Sequence, residues 1–165
     1  MEWYWRLLIV ISTFWVMEFV AWAMHKYVMH GFLWVLHKDH HVKKPGFFER
    51  NDAFFLIFAV PSWLCIMLGM INEAAIAVHI GYGIALYGIA YFMVHEVFIH
   101  RRLKWFKGSR FTYLAAIQRA HKMHHRHLEK EEGESFGMLI IHPRYWEAEK
   151  KARAKRRSNQ ETVTA

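Results

Sequence analysis

A single cysteine, Cys65, stands in the 165 residues. One thiol excludes a disulfide framework and every zinc or iron–sulfur site built from several thiolates. No G-x-G-x-x-G occurs, and the apolar blocks leave no length for a nicotinamide or flavin domain beside them. Acidic residues are scarce, with Asp+Glu 14 against Lys+Arg 22 and a net charge of +8 when histidine is neutral. The length suits one domain. What is abundant is apolar and aromatic, 55% and 17% of the chain, together with 13 histidines. So many aromatics exclude a disordered chain. The mean hydropathy is only +0.02. That average conceals a separation into apolar blocks and basic, histidine-rich blocks. With thiolate sets and nucleotide motifs excluded, histidine is the residue left to carry chemistry.

Three blocks are long enough to cross a hydrocarbon core, which needs roughly 20 apolar residues. Leu7 to Met24 contains one charged residue, Glu18, and follows the aromatic run Trp3, Tyr4, Trp5, as at a membrane interface. Ala53 to Ile71 holds no charge and one proline, Pro61, which predicts a kink; Cys65 reads as a small core residue. Ala74 to Val94 holds no charge except a possible one on His79. A soluble helical bundle would show a polar stripe on each helix, and the second and third blocks show none. The first block is too long for a cleaved signal, and His25-Lys26 stands where small residues would be needed. Asn72-Glu73 reads as a tight turn, and Ala77, Gly81 and Ala85 make a small face for close helix packing. The expected fold is an all-α integral membrane protein with three transmembrane helices, or four, and a helical histidine-rich site on one side.

Basic residues orient it. Segment 25–52 holds five (Lys26, Lys38, Lys43, Lys44, Arg50), segment 95–165 holds sixteen, and Arg6 is the remaining one. Three spans put both segments on one face, which the positive-inside rule makes cytoplasmic, leaving the N-terminus outside.

Ten histidines follow them in two copies of one pattern. His25-x4-His30 and His37-x2-His40-His41 are answered by His95-x4-His100 and His121-x2-His124-His125. The copies read as an internal repeat of a span-plus-cluster unit. Histidines at i, i+3 and i+4 share a helix face, and residues 111–120 are suited to a helix leading into the second cluster. The x4 spacing fits less easily: on a regular α-helix its two imidazoles lie about 140° apart. They converge only where the helix ends, bulges or widens. Gly31 suggests an end after His30; nothing comparable follows His100. Imidazole ligands without thiolate suit Zn, Cu, Fe or Ni, and ten exceed the needs of one ion, so a dinuclear site is the economical reading. His95-Glu96-x3-His100 is one residue too long for the zinc-protease H-E-x-x-H.

Other residues are ambiguous. His79 lies about 24 Å along a helix from His95, outside any shared centre. His127 and His142 are near the clusters only in sequence. Glu18, inside a span, reads equally as functional, snorkelling or helix-pairing. Asp39, Asp52 and Glu96 could orient imidazoles from behind or be ordinary solvated charges. The basic run Lys150, Lys151, Arg153, Lys155, Arg156, Arg157 suggests a solvated, partly disordered tail over 148–165 with some anionic-lipid contact, after a membrane-embedded domain over 1–147. No nucleic-acid-binding module is recognisable.

The paired H-x4-H and H-x2-H-H motifs resemble the membrane fatty-acid hydroxylase superfamily. Closer letters resemble the bacterial β-carotene 3-hydroxylases: His25-Lys26-Tyr27-Val28-Met29-His30-Gly31, Asn51-Asp52, Tyr91-Phe92-Met93-Val94-His95, Ala120-His121-Lys122-Met123-His124-His125 and Ser135-Phe136-Gly137. The resemblance covers roughly residues 1–145; only one span fits before His25, fewer than in the larger lipid enzymes. It implies two iron ions held by His25, His30, His37, His40, His41, His95, His100, His121, His124 and His125, with zinc able to substitute in a purified sample. It implies O2 as co-substrate, hydroxylation of β-carotene at C3 of its rings to β-cryptoxanthin and zeaxanthin, a ferredoxin-type donor and a place in the bacterial inner membrane. A hydroxylase or desaturase acting on a sterol, alkane or acyl chain is the alternative within the superfamily. A non-catalytic metal- or haem-binding membrane protein is less well supported, because only Glu18 and His79 lie within the spans. A histidine-rich adhesion protein would have no reason for duplicated spacing.

Overall fold

The computed structural model describes residues 1–42, 46–103, 105, 111–131 and 133–164. Lys43 and Lys44 lie outside the described residues, as do Lys104, Lys107 and Arg110 of the later basic segment. All regular structure among the described residues is helical. Helix α1 spans Trp3–Ala23 and passes directly into a π-helical stretch, Met24–Phe32. Helix α2 covers Trp34–His41, and a 3-10 turn at Arg50–Ala53 leads into α3, Phe54–Ile71. The Asp52 carboxylate accepts the Glu49 N–H at 3.1 Å, closing that turn before the apolar span begins. Helix α4, Ala75–Tyr91, also runs into a π-helical stretch, Phe92–Ile99. Helices α5, Thr112–His124, and α6, Pro143–Thr164, complete the chain.

Three segments are long and apolar enough to cross a membrane: Trp3–Phe32, Arg50–Ile71 and Ala75–Ile99. They extend the expected blocks chiefly by the π-helical stretches, which carry the first and third past their apolar ends. No more than 22% of any of their apolar windows is buried inside the protein, so most of that surface needs an apolar surrounding. Asn72-Glu73 makes the turn between α3 and α4, with Glu73 at φ 53°. Pro61 lies inside α3, which continues through it.

Helix α4 packs against both α1 and α3. Met17, Ala21, Ile84 and Tyr87 form the core between α1 and α4, with Cys65 packed beside them. Glycines let these helices approach. A Cβ on Gly81 would come within 2.9 Å of the Ser62 carbonyl in α3. One on Gly83 would lie 2.5 Å from Thr13 Cβ and 2.8 Å from the Val10 carbonyl in α1. Gly83→Val is therefore expected to force α1 and α4 apart and lower stability by about 1–3 kcal/mol or more, read as an earlier thermal transition in detergent. Gly88→Ala, where an added Cβ meets nothing within 4 Å, should leave the transition in place.

At the C-terminus the helix runs through the expected boundary at 147/148. Its first turns are anchored: Glu149 is buried and accepts hydrogen bonds from Arg119 of α5 at 3.1 Å and Arg153 at 3.2 Å. These pairs lower the Glu149 carboxyl below its usual range against the opposing effect of burial. Trp146 packs on Tyr113. Residues 150–162 are largely exposed.

Candidate metal centre

The x4 spacing becomes productive through the π-helical stretches. A π-helix closes hydrogen bonds between residues five apart, so i and i+5 come onto one face. The His100 N–H donates to the His95 carbonyl at 2.9 Å, and the Leu33 N–H to the Val28 carbonyl at 3.0 Å. His25 and His30 then have ring centroids 5.2 Å apart, and His95 and His100 4.5 Å apart. Gly31 leaves helical geometry altogether, at φ −99° and ψ −123°, as expected of an interruption after His30.

All ten histidines of the two motif copies meet in one cluster, but they do not divide by copy. The imidazole nitrogens of His25, His30, His37, His41 and His124 lie within 4.8 Å of one another; those of His40, His95, His100 and His121 form a second such group. His125 adjoins the second group, its Nε2 2.8 Å from His121 Nε2. His124 has crossed to the first motif copy and His40 to the second. The two groups touch, with the His41 and His125 rings stacked at 4.6 Å.

The outer nitrogens fix which way these rings face. Nδ1 of His25, His30, His41 and His124 donates to the carbonyls of Phe136, Lys130, His127 and Glu134, at 3.0, 3.1, 2.9 and 2.8 Å. A carbonyl can only accept, so Nδ1 carries the proton and Nε2 of a neutral ring is bare. His37 Nδ1 donates to the Asn51 side-chain oxygen at 2.7 Å. His40 and His95 donate to the carboxylates of Glu49 and Glu96, at 2.9 and 2.7 Å.

The bare nitrogens face one another: His30 and His124 Nε2 lie 3.2 Å apart, His25 and His37 3.1 Å, and His40 and His95 3.2 Å. With both protons committed outward, such pairs cannot hydrogen-bond to each other. Burial, joined by repulsion from neighbouring imidazoles, lowers His41 to about 4 and His124 to about 3. His37, His95 and His124 are at most 2% exposed. Converging lone pairs in a buried cluster are costly alone and well suited to cations, and an all-imidazole set fits Fe, Zn, Cu or Ni. The donor set could therefore hold metal ions.

The residues left ambiguous by sequence now have places. Glu96 supports His95, whereas Asp52 binds Arg102 at 2.8 and 3.2 Å. Asp39 accepts the Arg50 N–H at 2.8 Å. His79 donates to the Ala75 carbonyl of its own helix, apart from the cluster. His127 contributes its backbone carbonyl, and His142 Nδ1 accepts the Arg144 N–H at the start of α6. Glu18 is buried at 3% exposure; its Oε1 accepts the N–H groups of Met138, Leu139 and Ile140, and its Oε2 the Tyr87 hydroxyl. Glu49 and Arg102 escaped sequence reasoning. The polar run Glu49-Arg50-Asn51-Asp52, set directly before an uncharged span, was the available signal.

The chain is similar to several known proteins. A "Beta-carotene hydroxylase" of Pantoea ananas is 41% identical over 143 residues, covering 87% of this chain and 81% of the relative. Proteins of the same name from Pseudescherichia vulneris and Paracoccus sp. (strain N81106 / MBIC 01143) are 36% and 34% identical. These matches cover 80% and 82% of this chain, and 74% and 84% of the relatives. No solved structure matches. The fatty acid hydroxylase family model matches residues 10–143, a stretch that takes in every histidine of the cluster, and the chain belongs to that family.

Proposed function

We propose that this protein is a β-carotene 3-hydroxylase: a membrane monooxygenase that hydroxylates each β-ionone ring at C3, giving β-cryptoxanthin and then zeaxanthin. The observation that carries the reading is the convergence of ten imidazoles, seven of them with bare inner nitrogens, in a chain whose relatives bear that hydroxylase name. His25, His30, His37, His41 and His124 would hold one iron. His40, His95, His100 and His121, with His125 beside them, would hold the other. The bound pair would supply an O2-derived oxidant strong enough for an unactivated C–H bond, which no side chain alone can provide. In balance, the substrate C–H and O2, with two electrons and two protons, give the alcohol and water. An external donor of the ferredoxin type would deliver those electrons. A basic face would steer an acidic donor.

The chain's own residues orient and shield the site. Backbone carbonyls, Asn51, Glu49 and Glu96 hold the rings with Nε2 inward, and Phe136, Trp34 and Phe54 pack against them. The histidine-bearing ends of the first and third spans lie together with the start of the second, where Asn51 holds His37, so the site belongs at one membrane face; by the distribution of basic residues that face is cytoplasmic, in the bacterial inner membrane. An insoluble carotenoid would then reach it laterally from lipid.

Expression in a β-carotene-accumulating host, followed by pigment chromatography, should yield β-cryptoxanthin and zeaxanthin. No new hydroxylated carotenoid would overturn the substrate assignment and favour a sterol, alkane or acyl substrate. Protein prepared anaerobically should contain two irons per chain; fewer than one would overturn the dinuclear site.

A further inference from the structure

The two histidine groups rest on supports of different charge. In the five-histidine group every acceptor of an outer N–H is neutral: the carbonyls of Phe136, Lys130, His127 and Glu134, and the Asn51 side-chain oxygen. In the four-histidine group, His40 and His95 donate instead to Glu49 and Glu96. Those carboxylates come from separate places in the chain, one before α3 and one after α4. Arg102 joins them, with Nη1 3.3 Å from Glu96 and Nη2 3.9 Å from Glu49, and it is itself held by Asp52. Arg102 and Glu96 side chains are only 15% and 12% exposed, so solvent screens this network weakly.

A carboxylate draws the Nδ1 proton more strongly than a carbonyl does, which makes the opposite nitrogen a stronger donor to a cation. Glu49, Glu96 and Asp52 together outweigh the single Arg102, and the net negative charge beside one centre also favours a divalent ion there over its neighbour. We propose that Glu49, Glu96 and the Arg102 that aligns them form a charged brace for the His40, His95, His100 and His121 centre alone, so that its metal affinity is set separately from that of the five-histidine centre. All three are positioning residues. The inference rests on the metal-binding reading above.

The test is a Co(II) titration of the full chain in detergent against a competing chelator, reading bound metal per chain and the visible absorption of each equivalent. His95→Ala identifies which equivalent belongs to the four-histidine centre. Glu49→Gln and Glu96→Gln, close in shape, should each weaken that equivalent about 10–100-fold and leave the other unchanged. Arg102→Gln should weaken the same equivalent, adding little to Glu96→Gln. The converse variant, Asn51→Asp, places a carboxylate behind His37 and should tighten the five-histidine equivalent, a gain that a merely structural role does not produce. Parallel weakening of both equivalents overturns the proposal, as does no weakening or no tightening in Asn51→Asp. A wild-type chain that binds no Co(II) overturns the metal reading and the brace with it.

Discussion

His40→Ala is expected to empty the centre of His95, His100 and His121, not that of its sequence neighbours His37 and His41. His40 Nε2 lies 3.2 Å from His95 Nε2, and its ring centroid is 4.3 Å from that of His100, across a gap of more than fifty residues in the chain. Its helix-mates His37 and His41 face the other way, toward His25, His30 and His124. Metal analysis should show one equivalent lost in His40→Ala. The pair His40→Ala/His95→Ala should lose no more, because both act on one ion; His37→Ala/His40→Ala should lose two. His124→Ala should empty the five-histidine centre while membrane insertion remains intact. Each should lower hydroxylation by more than the roughly 100-fold that an outer partner costs, since a direct donor is removed. Loss of the same equivalent in His37→Ala and His40→Ala would show that the division follows the sequence motifs after all.

The other large effect is expected at Glu18, which is far in sequence from every motif histidine of the second copy. One carboxylate oxygen accepts three consecutive backbone N–H groups, at 3.0, 2.7 and 2.9 Å, and the other accepts the Tyr87 hydroxyl at 2.8 Å. Glu18 thereby ties α1 to α4 and to the segment after α5. That segment supplies the Phe136 and Glu134 carbonyls that hold His25 and His124. Glu18→Ala leaves three N–H groups and a hydroxyl without their acceptor, at about 1–3 kcal/mol for each of those at the buried Met138 and Tyr87 and less at Leu139 and Ile140. A total loss above about 3 kcal/mol is expected, seen as a clearly lower thermal transition in detergent with earlier release of metal. Glu18→Gln keeps an acceptor oxygen and should fall between wild type and alanine. Tyr87→Phe removes one bond and should cost about 1 kcal/mol. An unchanged transition in Glu18→Ala would show that the clamp contributes nothing to stability.

Much of this architecture was readable from residue order. Apolar runs such as Ala53–Ile71, without the polar alternation of a barrel strand, satisfy their backbone in lipid as helices, and three of them bring the basic, histidine-rich segments to one side. The ten motif histidines were identifiable because duplicated spacing has no purpose in an ordinary packed or solvated face. Glu96 was visible as a neighbour of His95. Glu49 and Arg102 were not, since nothing local marks a charge whose partner arrives from another element. Glu18 was visible only as an anomaly: its partners are backbone N–H groups some 120 residues away, and backbone groups leave no trace in side-chain patterns.

Scarcity of cysteine and duplicated histidine spacing, read from the sequence alone, determined the donor chemistry and the set of imidazoles, and three long apolar runs determined the number of spans. Tertiary structure alone decided how those imidazoles are shared. The π-helical stretches bring His25 to His30 and His95 to His100, overcoming the misfit of five-residue spacing on an α-helix. Side chains reaching out from α2 and α5 exchange His40 and His124 between the motif copies. Spacing along a chain records which residues share a helix face. Which bare nitrogens meet across a gap of about 3 Å depends on how separate helices are set against one another, and that is a property of packing.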